Sequence, residues 1–235
     1  DSSQSRGLGD VYKRQGGHHF GSRVRMAKDG MLYFSVGERG RMKEAQDPQN
    51  HLGTVIRLQE NGKVPQDNPF LKNRKGRAEI FSYGHRNPQG MALHPKTGKI
   101  WVHEHGPQGG DEINILKAGA NYGWPKTTFG EQYGGGKIGI GPKSPGIEEP
   151  LLHWTPSIAP SGMDFYQGDI FPNWNGDLLV GSLKFRMLVR VDLEGSLVQG
   201  QEVVFQDRIG RVRDVRVSPE AVSYTHLTLP TTLVV

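Results

Sequence analysis

Residues 91–102, MALHPKTGKIWV, decide how the chain is expected to fold. Two short apolar runs, 91–93 and 100–102, flank the polar turn Lys96-Thr97-Gly98. Apolar runs joined by a glycine-centred polar turn are typical of an antiparallel hairpin, because glycine adopts the backbone conformations that tight turns require. We therefore predict two paired strands in this stretch.

The same pattern recurs along the chain. It appears at residues 24–34 and 163–180, and a further copy begins at residues 215–219. The turn glycines Gly30, Gly98 and Gly176 recur roughly every 70 residues, a spacing that suits blades containing hairpins and long connections. The repeats predict an all-β propeller, here an incomplete ring of about three to four blades. A sandwich is the structural alternative, although its turns normally recur roughly every 8 to 12 residues.

Composition agrees with a turn-rich β protein and narrows the partners. The 235 residues include 33 Gly and 15 Pro, and only 34% are hydrophobic. The net charge of +5 comes from basic residues interspersed with acids, so we expect no nucleic-acid partner. No apolar run approaches the roughly 18 residues of a membrane helix, so we expect no membrane insertion. Because cysteine is absent, any metal must be held by oxygen or imidazole.

Both ends of the chain carry the mark of a foreign sequence. The hexapeptide DVYKRQ, residues 10–15, back-translates to GATGTGTATAAGAGACAG, and the reverse complement of that string encodes VSYTH, residues 222–226. One nucleotide element in two orientations resembles a transposase-type sequencing adapter. We therefore expect residues 1–15 and 222–235 to be non-native flanks, with a partial propeller domain over residues 16–221.

Two loops that precede hairpins carry candidate catalytic side chains. His19 stands just before the first hairpin, and imidazole has a pKa suited to abstracting a hydroxyl proton near neutral pH. Most loop histidines are nevertheless solvated or structural. Arg86 is followed at once by the turn residues Asn87-Pro88, which hold it rigidly, as the stabilisation of a developing oxyanion requires. A plain polar turn is the alternative.

The loop after the second hairpin carries candidate metal ligands. The Gly106-Pro107 step exposes backbone carbonyls in a constrained turn, and Asp111-Glu112 adds adjacent carboxylates. Calcium takes six to eight oxygen ligands and commonly mixes carbonyls with carboxylates. Adjacent acids on a surface loop are usually just solvated, so that reading stays open, and the spaced ladder of an EF-hand is absent.

Aromatic and cationic side chains complete the candidate set. Trp154 lies among turn residues, where flat ligands stack on aromatic rings, although burial in the core is the default explanation. Lys184 follows the third hairpin. Arg211 and Arg213 stand two apart on a predicted strand and so point to one side. Their mutual repulsion is costly unless an anion, or Asp214 and its neighbours, compensates, and a plain surface strand is the alternative.

Taken in order, these segments resemble the glucose/sorbosone dehydrogenase family of soluble, pyrroloquinoline-quinone-dependent sugar dehydrogenases, and in particular its aldose sugar dehydrogenase branch. The likeness covers nearly all of residues 16–220. It implies a six-bladed propeller with the quinone at its central end. The motifs that carry the resemblance are His19-x-Gly21-x-Arg23, Val36-Gly37-Glu38-Arg39-Gly40, Gly84-His85-Arg86-Asn87-Pro88-Gln89-Gly90, Glu104-x-Gly106-Pro107, Asp111-Glu112-Ile113-Asn114, Asn121-Tyr122-Gly123-Trp124-Pro125, Ala159-Pro160-Ser161, Ser182-Leu183-Lys184 and Arg211-x-Arg213-Asp214.

The resemblance also assigns roles by matching position. It implies that His19 is the general base for the anomeric hydroxyl of the sugar and that Arg86 lies beside the reactive quinone carbonyl. It implies that the backbone carbonyls of Gly106 and Pro107 bind the calcium that also ligates the quinone. It implies that the quinone's carboxylates are neutralised by Lys184, Arg211 and Arg213. It implies that the groups that stack on the cofactor or support the residues around it are Asn87, Gln89 and Trp154. It implies that a second, structural calcium is held by Asp111, Glu112 and Tyr122.

The implied reaction is oxidation of an aldose at its anomeric carbon to the lactone, with hydride passing to the quinone and electrons leaving to an unidentified acceptor. A periplasmic or secreted location is implied as well. Glu38 stands where the glucose-specific branch carries Asp, which favours the aldose branch and leaves the preferred sugar open. His105 stands where the aldose branch carries Gln, a departure that concerns the contacts with the cofactor. The alternatives are a calcium-dependent propeller hydrolase such as a lactonase and a non-catalytic binding propeller. Because an incomplete ring exposes blade edges, we expect this chain alone to fold poorly and to show little dehydrogenase activity.

Overall fold

A computed structural model of the chain describes residues 17–218 and the backbone of residues 223–226 and 232–234. The predicted flank 1–15 lies outside the described residues, as do residues 222, 227–231 and 235 of the predicted flank 222–235. Within the described part, the regular secondary structure is almost entirely β-strand, with only two short 3-10 helices, Met42–Gln46 and Pro172–Trp174. No helix in this part is long and apolar enough to cross a membrane.

Three four-stranded antiparallel sheets follow one another along the chain, and each is a meander of consecutive strands. The first sheet contains β1 (Gly21–Met26), β2 (Met31–Val36), β3 (Thr54–Gln59) and β4 (Ile80–Tyr83). The second contains β5 (Pro88–Leu93), β6 (Ile100–Glu104), β7 (Asp111–Ile115) and β8 (Leu152–Trp154). The third contains β9 (Pro160–Phe165), β10 (Leu178–Ser182), β11 (Met187–Glu194) and β12 (Leu197–Gln206).

A fourth, three-stranded sheet contains β13 (Asp214–Val217), β14 (Ser223–His226) and β15 (Thr232–Val234). Strand β13 is the further copy of the apolar pattern that the sequence predicts to begin at residue 215. Strands β14 and β15 fall within the predicted C-terminal flank, and β14 pairs antiparallel with β13. The boundary at residue 221 stays a prediction.

The hairpins predicted from the sequence are confirmed. Strands β5 and β6 pair antiparallel, with Met91 opposite Val102 and Leu93 opposite Ile100. Gly98 occupies the turn between them with φ of +68°, in the left-handed region that a side chain disfavours. The hairpins β1–β2 and β9–β10 form at the other two predicted sites.

The sheets pack face to face through apolar side chains, in the order of the chain. Tyr33 and Val55 of the first sheet pack with Met91 of the second, and Trp101 of the second packs with Phe165 of the third. Burying each such side chain contributes roughly 1.5–3 kcal/mol, which explains why a single blade cannot fold alone. The first strands of successive sheets, β1, β5, β9 and β13, contact one another in turn. The described residues thus form a partial β-propeller, an arc of blades that does not close into a ring.

Candidate active site

One end of the arc collects the candidate residues, and the meander topology explains why. The start of the first strand and the end of the second strand of a hairpin lie side by side, because the two strands run antiparallel. His19 and Arg86 come just before first strands, β1 and β5. Glu38 and Gly106 come just after second strands, β2 and β6, and Lys184 follows β10. Residues far apart in sequence therefore meet at a single face.

The imidazole of His19 contacts a buried carboxylate. Its Nδ1 atom is hydrogen-bonded to Oε1 of Glu38, whose side chain is fully buried. The other carboxylate oxygen of Glu38 has no hydrogen-bond partner in the described residues. His19 itself has a φ of +56°, in the left-handed region that non-glycine residues rarely adopt. The carboxylate thus fixes the ring through Nδ1 and leaves Nε2 available to a ligand.

Arg86 is held at both its backbone and its guanidinium. Its amide donates to Oε2 of Glu104, and its Nη1 donates to the carbonyls of His105 and Gly106 at 3.0 and 2.7 Å. The guanidinium also lies over the Trp124 ring, 5.2 Å from the centroid. Burial lowers the pKa of Arg86, and the neighbouring Tyr133 and Glu38 oppose that shift. The ordinary pKa of arginine lies far above neutrality, so Arg86 remains a cation here.

Glu104, the anchor of Arg86, belongs to a buried chain of polar side chains. Its Oε1 lies 2.8 Å from Nδ1 of His85, and Nε2 of His85 lies 3.0 Å from Oγ of Ser82. The His85 ring stacks on Tyr122 with the centroids 4.6 Å apart. Ser82 and His85 are fully buried, so no substrate reaches this triad and its role is structural.

A large cavity of about 920 Å³ opens on the candidate face. It is lined by Lys184 and Arg211, together with the loop residues Pro107, Gln108, Gly109, Phe129, Glu131, Tyr133, Thr155, Pro156, Ser157, Ala159 and Leu183. Between residues 17 and 218, neither Lys184 nor Arg211 forms an ion pair with a carboxylate. Two cations without an acidic partner in one cavity suit an anionic ligand.

A second cavity of about 300 Å³ adjoins the first and contains the His19 region. His18, His19, Glu38 and Arg86 are among its lining residues. Pro107 and Tyr133 line both cavities, so the two meet between these residues. A ligand bound by Lys184 and Arg211 can therefore extend toward His19 and Arg86.

The predicted metal ligands divide into three groups. The Gly106 carbonyl accepts Arg86 in this structure, and Pro107 lies at the junction of the two cavities. Glu112 and Tyr122 line a small internal cavity of about 10 Å³ beside Glu104. Burial and the charge of Glu104 raise the pKa of Glu112 to about 8. Two carboxylates forced together away from water favour either a proton or a cation between them.

Asp111 has a different position from the one expected. Its Oδ1 accepts the Gly106 amide at 2.9 Å, and its Oδ2 accepts Ser157 Oγ and the amides of Ile158 and Ala159 at 2.7–2.9 Å. It is not among the residues that line the internal cavity. The Asp111 carboxylate thus holds these loops together, because its two oxygens already accept hydrogen bonds from four donors.

Trp154 also departs from the prediction. The residue ends strand β8 and is only 7% exposed, packed with Trp101 and Ile113 in the core between the second and third sheets. Its Nε1 donates to Gln201 at 2.8 Å. It is not among the residues lining the large cavity, so the core explanation wins over stacking on a ligand.

Arg211 and Arg213 are not on a strand, because β13 begins at Asp214. Val212 between them is fully buried, so the two arginines still lie on the exposed side of the segment. Arg211 lines the large cavity, whereas Arg213 is not among its lining residues. The expectation of two guanidiniums converging from one strand is therefore wrong in its geometry, and only Arg211 is brought to the cavity.

Asn87 and Gln89 lie beside the site. Oδ1 of Asn87 accepts the Gly21 amide at 3.2 Å and Nε2 of Gln89 at 2.9 Å. The Gln89 carbonyl accepts Nε of Arg23, which also pairs with Asp214 at 3.0 Å. These bonds join β1 to the segments before β5 and β13, and they position the loops that carry His19 and Arg86.

Reasoning from the sequence did not select Ser82, His85, Glu104 or Tyr133. Glu104 ends the strand β6, where a glutamate is ordinarily expected to be exposed, so its burial could not be predicted from the local sequence. His85 stands next to a candidate cation, which is a weak signal. Tyr133 stands in a glycine-rich loop that reads as an ordinary turn.

An arc of propeller blades with a cavity lined by two cations beside a histidine–carboxylate pair is the arrangement of a ligand-binding or catalytic propeller. A sequence model of the family described as Glucose / Sorbosone dehydrogenase matches residues 6–228. The chain therefore belongs to the glucose/sorbosone dehydrogenase family, and the resemblance inferred from its motifs is confirmed.

Named relatives agree with this assignment. The chain is 44% identical over 210 residues to aldose sugar dehydrogenase YliI of Escherichia coli, covering 88% of this chain and 57% of the relative. The apo crystal structure of the soluble aldose sugar dehydrogenase of E. coli superposes with a TM-score of 0.84 at 42% identity, covering 89% of this chain and 61% of that one. The PQQ-bound form of aldose sugar dehydrogenase from Streptomyces coelicolor superposes with a TM-score of 0.73 at 29% identity, covering 90% and 56%. The chain thus spans little more than half the length of these relatives.

Proposed function

We propose that the whole protein oxidises aldoses at the anomeric carbon to lactones, with pyrroloquinoline quinone and Ca²⁺ as cofactors. The observation that carries the proposal is the pair Lys184 and Arg211, unpaired with acids, in a cavity that adjoins the His19–Glu38 pair. Pyrroloquinoline quinone is a flat tricarboxylate, which supplies the anion that these cations lack. When bound, the quinone accepts the hydride, a step that no amino-acid side chain performs.

His19 holds the proton that leaves the sugar. With Nδ1 engaged by Glu38, its Nε2 lone pair faces the smaller cavity as a proton acceptor for the anomeric hydroxyl. The buried Glu38 carboxylate then stabilises the imidazolium that forms. The Glu38 carboxylate thus orients the His19 ring, and the opposite ring nitrogen accepts the proton.

Arg86 supplies a fixed positive charge in the same cavity. Its guanidinium is bound to two backbone carbonyls and its amide to Glu104, so it needs little rearrangement when negative charge develops nearby. A preorganised cation in a partly buried site stabilises such charge more than the same cation in water.

The residues present fit a calcium ion at the cavity junction. A carbonyl oxygen has two lone pairs, so the bond from Arg86 leaves the Gly106 oxygen able to accept a cation as well. Pro107 lies at the junction itself. With the carbonyls of Gly106 and Pro107 as protein ligands, the ion would act as a Lewis acid on the bound cofactor.

A second, structural calcium would be held by Glu112 and Tyr122. The internal cavity that they line has the volume of about one small ion or water. The raised pKa of Glu112 marks an uncompensated pair of carboxylates, which a hard cation with oxygen ligands would neutralise. Asp111 would support this site indirectly, because its carboxylate accepts the Gly106 amide and so holds the loop in place.

The proposal is tested by cofactor binding. Turnover and binding are measured in the full-length protein, meaning this chain together with the segments that complete the length of its relatives. Quenching of tryptophan fluorescence reports the dissociation constant of the free quinone in the presence of Ca²⁺. We expect Lys184→Ala and Arg211→Ala each to weaken binding roughly ten- to hundredfold, the loss typical of a charge-assisted hydrogen bond.

Arg186→Ala is the matched control for these substitutions. Arg186 is an exposed cation near Lys184, but it is paired with Asp207 at 2.6 Å, so its removal should leave quinone affinity unchanged. Unchanged affinity in both test variants would reject the proposal. Appearance of the quinol absorbance on adding glucose separates a dehydrogenase from a calcium-dependent hydrolase or a non-catalytic binding propeller.

The remaining elements of the proposal rest on the family. An aldose is the small-molecule partner, the electron acceptor is a component that we do not name, and no nucleic acid is expected. We place the protein in the periplasm or outside the cell, in keeping with the resemblance to aldose sugar dehydrogenases.

A further inference from the structure

The loop over the junction of the two cavities is a small hairpin. The backbones of Gln108 and Glu131 exchange two hydrogen bonds of 3.0 and 3.1 Å, and Glu131 bridges to Lys137. The amide of Gln132 donates to the Gly136 carbonyl at 2.9 Å. The base of this hairpin, residues 131–137, is therefore fixed to the loop that carries Pro107.

The tip of the hairpin is unusually free. Residues 134–136 are three successive glycines with φ of +88°, +95° and +111°, and no atom lies within 4 Å of the position of an added Cβ at any of them. Glycines in this region of φ cost little to adopt and leave the backbone easy to move. The tip thus stands in open space, anchored only at its base.

Tyr133 is the large side chain that this hairpin presents. It is 75% exposed, although it lines both cavities. A large aromatic ring that is neither packed in the core nor turned away from the site remains available to a ligand. The Tyr133 hydroxyl also favours the charged form of Arg86, against the burial that lowers the pKa of that guanidinium.

We propose that Tyr133 is a substrate-positioning residue whose ring packs against the C–H face of the aldose bound beside His19. The inference rests on the proposed function and adds to it the contact that holds the sugar. Pro107 and Tyr133 lie on two loops that are joined by the Gln108–Glu131 hydrogen bonds, and both residues line both cavities, so a ligand that reaches the junction lies between them. The exposed position suits the sugar, which must enter and leave in each cycle, better than the retained cofactor.

The test measures sugar binding without turnover. The probe is 1,5-anhydroglucitol, an aldose analogue that lacks the anomeric hydroxyl and cannot be oxidised, added to the full-length protein loaded with Ca²⁺ and quinone. Its dissociation constant is obtained by saturation-transfer NMR. Quinone affinity is measured separately by fluorescence quenching in the same samples.

We expect Tyr133→Ala to weaken binding of the analogue roughly tenfold, the effect of losing one well-packed aromatic contact. Tyr133→Phe keeps the ring and should remain within about threefold of the wild type. Ile140→Ala is the control for disturbance of the loop, because Ile140 is 64% exposed in the same segment but is not among the residues lining the cavities. It should bind the analogue as the wild type does.

Wild-type affinity for the analogue in Tyr133→Ala would overturn the inference. Equal losses of quinone and analogue affinity in that variant would overturn it too, by assigning Tyr133 to the cofactor. A wild-type protein that binds the analogue through Tyr133 but takes up no quinone would reject the dehydrogenase proposal while supporting the sugar contact.

Discussion

The Nδ1 atom of buried His85 lies 2.8 Å from Oε1 of Glu104. The other oxygen of the same carboxylate accepts the amide of Arg86, and Ser82 lies 3.0 Å from the far side of the His85 ring. A chain of buried side chains thus begins inside the first sheet and ends at the cation of the candidate active site. The position of Arg86 depends on residues that no ligand reaches.

Removing Glu104 should therefore affect both stability and binding. Glu104→Ala leaves Nδ1 of His85 and the Arg86 amide without a partner in a buried place, which typically costs about 2–6 kcal/mol for two such groups. Urea unfolding of the full-length protein measures this loss. Quinone affinity should fall as well, since Arg86 is no longer held.

Ser82→Ala provides the matched control. It removes one neutral hydrogen bond at the other end of the chain and should cost about 1 kcal/mol without altering quinone affinity. Equal effects of the two substitutions on quinone affinity would contradict the view that Glu104 acts by positioning Arg86.

His19→Gln should abolish turnover while sparing the cofactor. Glutamine retains a polar group of similar size but cannot accept the proton from the anomeric hydroxyl at neutral pH. We expect kcat to fall by at least about a hundredfold, in the range usual for loss of a general base, with unchanged quinone quenching. Dye-linked assays with an aldose give kcat, and residual turnover near the wild-type level would remove His19 from the proposed role.

Glu38→Gln separates orientation from chemistry. The amide occupies the same buried place but no longer stabilises an imidazolium, so a smaller loss of kcat than in His19→Gln is expected. A loss as large as that of His19→Gln would mean that the tautomer and orientation that Glu38 imposes on the ring are as necessary for turnover as the imidazole itself.

The buried His103 predicts a decline of stability in acid. Burial, with the charges of His105 and Arg23, lowers the pKa of His103 well below its ordinary value, and neither ring nitrogen has a side-chain partner in the described residues. The unfolded chain therefore takes up the proton first. Stability is fully present above the unfolded pKa of about 6.5 and falls below it by at most about 1.4 kcal/mol per pH unit.

His103→Gln tests this source of acid sensitivity. The substitution should flatten the dependence of the unfolding free energy on pH between about 6.5 and 5, the window below the ordinary histidine pKa. His51 is paired with Glu79 near the surface, so His51→Gln is the control. It should leave unchanged the part of the pH dependence of the unfolding free energy that comes from His103. An unaltered slope in His103→Gln would show that other groups cause the decline.

The 235-residue chain should be a poor catalyst by itself. It spans 57% of the length of its E. coli relative, and among the described residues the first and the last sheet of the arc each contact a neighbouring sheet on one side only. We expect little dye-linked glucose oxidation by the isolated chain with Ca²⁺ and quinone, compared with the full-length protein. Robust oxidation by the isolated chain would refute this prediction.

The reading of the two ends as adapter-like flanks has a direct check. Genomic DNA around the gene should encode sequences other than DVYKRQ and VSYTH at residues 10–15 and 222–226. Recovery of the same codons in an uninterrupted genomic reading frame would contradict the assignment.

The hairpins, the blade-like repeats and the family were determined by the sequence alone. Local chemistry suffices for these features, because alternating apolar residues and a glycine turn such as Gly98 specify a hairpin from neighbours within a dozen residues or so. The order of His19, Arg86 and Lys184 along the chain suffices in the same way for a resemblance to the family.

Only the tertiary structure decided which of these side chains share a cavity. Arg211 and Arg213 have the same residue type and nearly the same position in sequence, yet one lines the cavity and the other does not. Trp154 stands among turn residues in the sequence, yet it is packed between two sheets, whereas Tyr133, for which the sequence indicated no role, is exposed and lines both cavities. Contacts between blades involve residues many tens of positions apart, and no local pattern encodes the packing that determines them.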